Sequence, residues 1–127
     1  MNGRSESARL GVALLATLAA LSAQAQSPPG DATRGQALYQ ACTGCHSVED
    51  NDIGPKHRGV VGRTAGSVPD YTYSPALKAS GMVWSPANLD RWLANPQALV
   101  PGAKMVFHLE NAQDRADVIA YLKERAK

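Results

Sequence analysis

Cys42-Thr43-Gly44-Cys45-His46 is the stretch on which the reading of the whole chain turns. Two thiols separated by two residues, with an imidazole directly after the second, form the C-x-x-C-H signal for covalent haem attachment. The chemistry explains the spacing. The thiols add across the two vinyl groups of a haem and give two thioether bonds, and His46 then points its imidazole at the iron. A helix ending at residues 42–46 lets the chain follow the edge of the porphyrin. These are the only two cysteines among 127 residues, so attachment leaves no thiol for a disulfide.

Three other uses of the pair fit less well. A thioredoxin-like C-x-x-C sits in a βαβ setting, and the chain has no strand-like runs. A zinc site takes four ligands, usually from two such pairs, and there is one pair here. A structural disulfide across two intervening residues would be strained and has no use for His46.

A second axial ligand is sought further along. Met105 lies 59 residues after His46, within Pro101-Gly102-Ala103-Lys104-Met105-Val106-Phe107. A Pro-Gly turn can hold this thioether in a rigid loop facing a haem. A soft sulfur ligand favours ferrous iron, raises the reduction potential and closes the iron to outside ligands, which suits electron transfer over oxygen chemistry. Met82, His57 and His108 are competitors, an open sixth position is a further alternative, and Met105 as plain core filling is the bland one.

Working outward, residues 1–9 carry Arg4 and Arg9, residues 10–21 are almost unbroken Leu, Ala and Val, and Ala23-Gln24-Ala25 supplies small residues. Charged start, apolar middle and small-residue end make a secretory signal peptide, residues 1–25. The apolar run of about 12 residues is short of the roughly 20 that a spanning helix needs, which argues against an uncleaved anchor. The expected mature domain is residues 26–127, with a net charge of +1. No clustered basic patch suggests nucleic acid. A domain of this size buries a small core, and a large internal apolar ligand would add much to it.

Helix signals punctuate the mature part. Asp31 caps a helix from 32 to about 43, with Gly35, Leu38 and Tyr39 on one face. Ser74-Pro75 and Ser85-Pro86 each place an N-cap before a proline suited to the first helical position. The first helix ends near Gly81, and the second, 86–94, stops at Asn95-Pro96. Asn111 caps a final helix with Asp114 in a box-like arrangement, and Val118, Ile119, Tyr121 and Leu122 form its apolar stripe. Residues 54–73, rich in glycine, and residues 100–107 read as ordered loops.

Taken together the chain resembles the class I c-type cytochromes, the mitochondrial-type and bacterial soluble monohaem proteins. The resemblance covers nearly all of residues 30–127. It rests on Gly35 and Tyr39, Cys42-x-x-Cys45-His46, Gly54-Pro55, Gly59-x-x-Gly62-Arg63, Tyr71-x-Tyr73-Ser74, Gly81-x-x-Trp84, Leu93-x-Asn95-Pro96, Pro101-Gly102-x-Lys104-Met105-x-Phe107 and residues 115–122, in that order. It implies an all-α cytochrome c fold: three to five short helices around one covalent haem c, with the N- and C-terminal helices crossing at Gly35, near Ile119 and Tyr121. His46 and Met105 would be the iron ligands. Pro55 would offer its carbonyl to the far nitrogen of His46. Arg63, Tyr73 and Trp84 would hold the haem propionates, and Phe107 would pack near the exposed haem edge. Three positions depart from the pattern: His57 where an apolar residue is common, Trp92 where a Tyr often bonds the Met sulfur, and Ala103 in place of a Thr.

The expected function is periplasmic electron carriage, with no catalytic residue, by a monomer exported across the inner membrane of a bacterium. Expected partners are redox proteins: a donor complex on one side, a terminal oxidase, peroxidase or reductase on the other. They would dock over the haem edge, where Lys56, Arg58 and Lys104 supply positive charge. Two rivals are a haem enzyme or gas sensor with an open sixth position, and a subunit held permanently by a larger complex.

Overall fold

The computed structural model describes residues 26–127. The expected signal peptide, residues 1–25, lies outside the described residues. Each helix begins at a short polar side chain that satisfies the otherwise orphaned N–H groups of the first turn. Asp31 opens α1 (Ala32–Leu38), its carboxylate accepting from the backbone N–H of Thr33 and Arg34 at 2.8 and 3.0 Å. The expected helix to about residue 43 does not stay α-helical. After Leu38 it tightens into a 3-10 turn, Tyr39–Cys42. Such tightening is common at helix ends, and it delivers the chain into the cysteine turn, where the N–H groups of Cys45 and His46 both donate to the Cys42 carbonyl.

The two Ser-Pro pairs act as the sequence suggests. Ser74 caps α2 (Pro75–Ala79) and Ser85 caps α3 (Pro86–Ala94), each hydroxyl accepting from the N–H three residues on at 3.1 Å. Asn95 both ends α3 and starts a further helix, α4 (Pro96–Leu99), accepting from the Ala98 N–H at 3.1 Å. Asn111 caps α5 (Ala112–Arg125). The expected reciprocal box does not close, because the Asp114 carboxylate turns instead to Arg34 of α1 at 2.6 Å.

α1 crosses α5 with backbone nearly on backbone. A Cβ at Gly35 would sit 1.9 Å from the Asp117 carbonyl oxygen, and one at Gly30 would sit 2.1 Å from that of Ala116. Only glycine permits this approach. Beside the crossing, Asp117 is fully buried. It accepts from the Asp31 N–H at 2.8 Å, from Gln113 Nε2 at 2.9 Å and from Arg34. These hydrogen bonds, the one from Asp31 foremost, hold its carboxyl below the usual range. Val118, Ile119 and Leu122 carry the other face of α5 into the core.

The fold is therefore all-α, with the terminal helices packed on one another, as the resemblance implies. Among the described residues there is no strand, only an isolated antiparallel bridge between Thr64 and Val83. Nor is any described helix long and apolar enough to cross a membrane.

Candidate functional site

The helices leave a cavity of about 280 Å³ between the cysteine turn and the loop that carries Met105. Leu77 of α2, Leu89, Trp92 and Leu93 of α3, and Val118 and Leu122 of α5 give it apolar walls. All eight sequence-predicted site residues line it: Cys42, Cys45, His46, Pro55, Arg63, Tyr73, Trp84 and Met105. Cys42 and Cys45 do not pair in a disulfide. Burial, with the neighbouring Cys45, pushes the Cys42 thiol up to about 11.

His46 is tightly specified. Its Nδ1 lies 2.8 Å from the Pro55 carbonyl, which can only accept, so Nδ1 carries the proton and Nε2 keeps its lone pair. Gly54 passes so close that a Cβ there would meet three ring atoms of His46 at 2.2, 2.5 and 2.7 Å. Burial lowers the His46 pKa despite the favourable Pro55 bond, so the ring is neutral at pH 7 and free to ligate a metal.

Met105 owes its position to a residue that the motif reading missed. Gln97 of α4 donates from Nε2 to the carbonyls of Ala103 and Met105, at 2.6 and 2.8 Å. The loop starts at Gly102, with φ +91°, and ends where the Leu109 N–H donates to the Leu93 carbonyl at 2.7 Å. Lys104 reaches across to the Thr72 carbonyl. A glutamine in the short helix Pro96–Leu99 carries no sequence mark of this role, since it depends on a loop that folds back.

The competitors for the second ligand lie elsewhere. Met82 does not line the cavity. His108 is half-exposed, with Nε2 3.8 Å from Glu110. His57 does line the cavity but stacks on His46 itself, ring centroids 4.1 Å apart and planes 22° apart.

Arg63 has its two terminal nitrogens bound to the carbonyls of Arg58 and Lys56, at 3.0 and 2.9 Å. Its Nε is buried with no partner among the described residues. A buried cation with an open donor calls for an anion, and desolvation already lowers its pKa. Tyr73 Oη accepts from the Val68 N–H at 3.0 Å. Trp84 and Trp92 meet edge to face at 5.1 Å.

The cavity mouth is apolar. Ile53 and Val106 are largely exposed there and Phe107 partly so. The three expected rim charges do not all serve it. Lys104 stands at the mouth, but Arg58 pairs with Glu49 and donates to the Lys127 carbonyl at 2.9 Å. Lys56 contributes its backbone, donating to Asn51 at 3.0 Å and accepting from Arg63.

Known proteins resemble this chain in sequence and fold. The family described as Cytochrome c matches residues 32–126. Cytochrome c2 of Rhodomicrobium vannielii is 50% identical over 97 residues, covering 73% of this chain and 78% of that protein. Cytochrome c of Euglena viridis is 46% identical over 98 residues, covering 74% and 96%. Among solved structures, cytochrome cH from Methylobacterium extorquens superposes with a TM-score of 0.74 at 45% identity, covering 76% of this chain and all of that one.

Proposed function

The chain belongs to the class I c-type cytochromes, and from that premise we propose that it is a periplasmic carrier whose iron is held by His46 and Met105. Membership itself makes it a haem-based electron carrier and not an enzyme, with one covalent haem c. The observation that carries the ligand assignment is the convergence of Cys42, Cys45, His46 and Met105 on one apolar cavity. The buried, unpartnered Nε of Arg63 suits a group that brings carboxylates into that cavity. Arg63, Tyr73 and Trp84 are accordingly proposed to hold the propionates.

When bound, the haem supplies an iron that alternates between ferric and ferrous states. The chain's own residues keep the surroundings constant through that change. His46, neutral and bonded to Pro55, offers Nε2 without first losing a proton. Gln97 fixes the backbone on either side of Lys104, so the Met105 thioether stays in place in both states. Leu77, Leu89, Trp92 and Leu93 exclude water from the cavity walls. A rigid, dry setting keeps the reorganisation that accompanies electron transfer small.

Export rests on the leader pattern of residues 1–25. A monomer is proposed to meet its partners at the mouth formed by Ile53, Val106 and Phe107, with Lys104 beside it. One partner would be a donor complex, the other a terminal oxidase, peroxidase or periplasmic reductase. The deciding measurement is the optical spectrum of the protein matured in a bacterial periplasm. Sharp low-spin bands on reduction, with a weak sulfur-to-iron charge-transfer band when oxidised, are expected. A high-spin spectrum that shifts with carbon monoxide would mean an open iron and overturn the Met105 assignment.

A further inference from the structure

The His57 ring lies almost parallel to that of His46, with Tyr39 behind it. Tyr39 Oη is 2.9 Å from His57 Nδ1, and the two rings meet edge to face at 5.6 Å. Tyr39 is buried, and its ring centroid lies 4.9 Å from that of Tyr121 on α5. Four rings therefore run in series from the α1–α5 crossing to the proximal imidazole: Tyr121, Tyr39, His57, His46. We propose that His57 is a positioning residue, which sets the plane of the His46 ring and so the orientation of the iron's proximal ligand. The proposal rests on the reading of His46 as that ligand.

The Pro55 bond alone does not do this. A hydrogen bond at Nδ1 fixes one atom of the ring, and Gly54 beside it bounds the ring but has no side chain to set its plane. A second flat ring against its face sets that plane. The orientation of the second ring is fixed in turn by its bond to Tyr39. The Tyr39 hydroxyl and His57 Nδ1 share one proton between them at 2.9 Å, so the bond anchors the ring in either tautomer. An aliphatic side chain could fill the same space, but it has neither a flat face nor a bond to Tyr39. His57 thus acts through its flat face on His46 and its bond to Tyr39.

The test uses ferric holoprotein, wild type and three variants: His57→Leu, His57→Phe and Tyr39→Phe. Proton NMR reads the hyperfine-shifted haem methyl resonances, whose order and spread follow the plane of the axial imidazole, and voltammetry reads the potential. His57→Leu should reorder or compress the methyl pattern and shift the potential. His57→Phe, which keeps a flat ring, should restore most of the wild-type pattern. Tyr39→Phe removes only a buried hydroxyl and should produce a smaller change in the direction of His57→Leu, so it carries the test if the leucine variant does not fold. Methyl patterns unchanged in both His57→Leu and Tyr39→Phe overturn the proposal while leaving the His/Met reading intact. A wild-type spectrum without a low-spin, His-ligated iron removes that reading first and this inference with it.

Discussion

The α1–α5 crossing and the cavity wall are built on opposite terms. At the crossing the chain satisfies itself. Gly30 and Gly35 let two backbones touch, and Asp117 is buried with three donors around its carboxylate. Around the cavity the accounting is left open: the Nε of Arg63 is buried with no partner among the described residues, and His46 is bonded to protein through Nδ1. The loops there are tied by scattered backbone bonds, such as Gly62 to Trp84 and Leu109 to Leu93, and by side chains that reach backbone carbonyls, from Gln97, Lys104 and Tyr71. The difference teaches that the helix crossing is specified by the polypeptide and the wall is completed by the cofactor.

The sharpest way to break this contrast is to remove the haem. The double variant Cys42→Ala, Cys45→Ala should retain no haem after denaturing chromatography and lose its cooperative thermal transition altogether. So small a domain has little core apart from what lines the cavity. Circular dichroism should show near-ultraviolet signal gone and helical signal much reduced. A cooperative melt in this variant would mean that the walls hold themselves up. The next effect is Gly35→Ala, which drives a methyl into the α5 backbone. Overpacking of this kind costs about 3 kcal/mol, readable by denaturant titration of the holoprotein. A loss near zero would show that the crossing can slide apart, and that the crossing is no more rigid than the wall.

The sequence displayed what is local. Cys42, Cys45 and His46 declare their chemistry within five residues, and Asp31, Ser74, Ser85 and Asn111 announce their helices because a cap acts on its own first turn. The haem-facing roles of Pro55 and Arg63 entered through an ordered family pattern, since nothing in either residue alone distinguishes it from a loop proline or a solvated charge. What stayed hidden depends on distant chain. Asp117 carries no mark in the sequence, because its first donor is the N–H of Asp31, 86 positions away. Arg58 reads as a free rim charge until Glu49 is placed beside it. His57 reads as a departure from an apolar position, and only the fold reveals the ring it stacks on. Periodicity reports which face of an element is apolar. It does not report which polar group another element brings to meet it.

Met105→Ala tests the wall one contact at a time. It should abolish the sulfur-to-iron charge-transfer band, let added imidazole or carbon monoxide bind, and lower stability by about 2 kcal/mol, at the low end for a Met truncated at a partly exposed site. The crossing should not notice, so helical content at low denaturant should match the wild type. A spectrum that keeps the band would point to another sulfur, and Met82 is the only other methionine among the described residues.

The smallest effect sharpens the comparison from the other side, through pH. The Asp117 carboxyl is held below its ordinary value of 3.8 in the folded protein, chiefly by the Asp31 N–H and then by Gln113 and Arg34. A depressed folded pKa adds stability that is complete above the unfolded value and is lost as pH falls through the folded one. Asp117→Asn should therefore lower the melting temperature by a few degrees at pH 7, and the gap from wild type should close as pH is taken from 4 downward. Asn keeps an oxygen for the Asp31 N–H but gives up the ion pair with Arg34, so the neutral-pH loss should be partial. The wall residues should not follow this acid profile in parallel, because His46, also depressed, is proposed to be held by iron. A gap that persists unchanged at pH 3 would mean that Asp117 acts by shape alone, and that the crossing owes its strength to glycine contact and not to the buried charge.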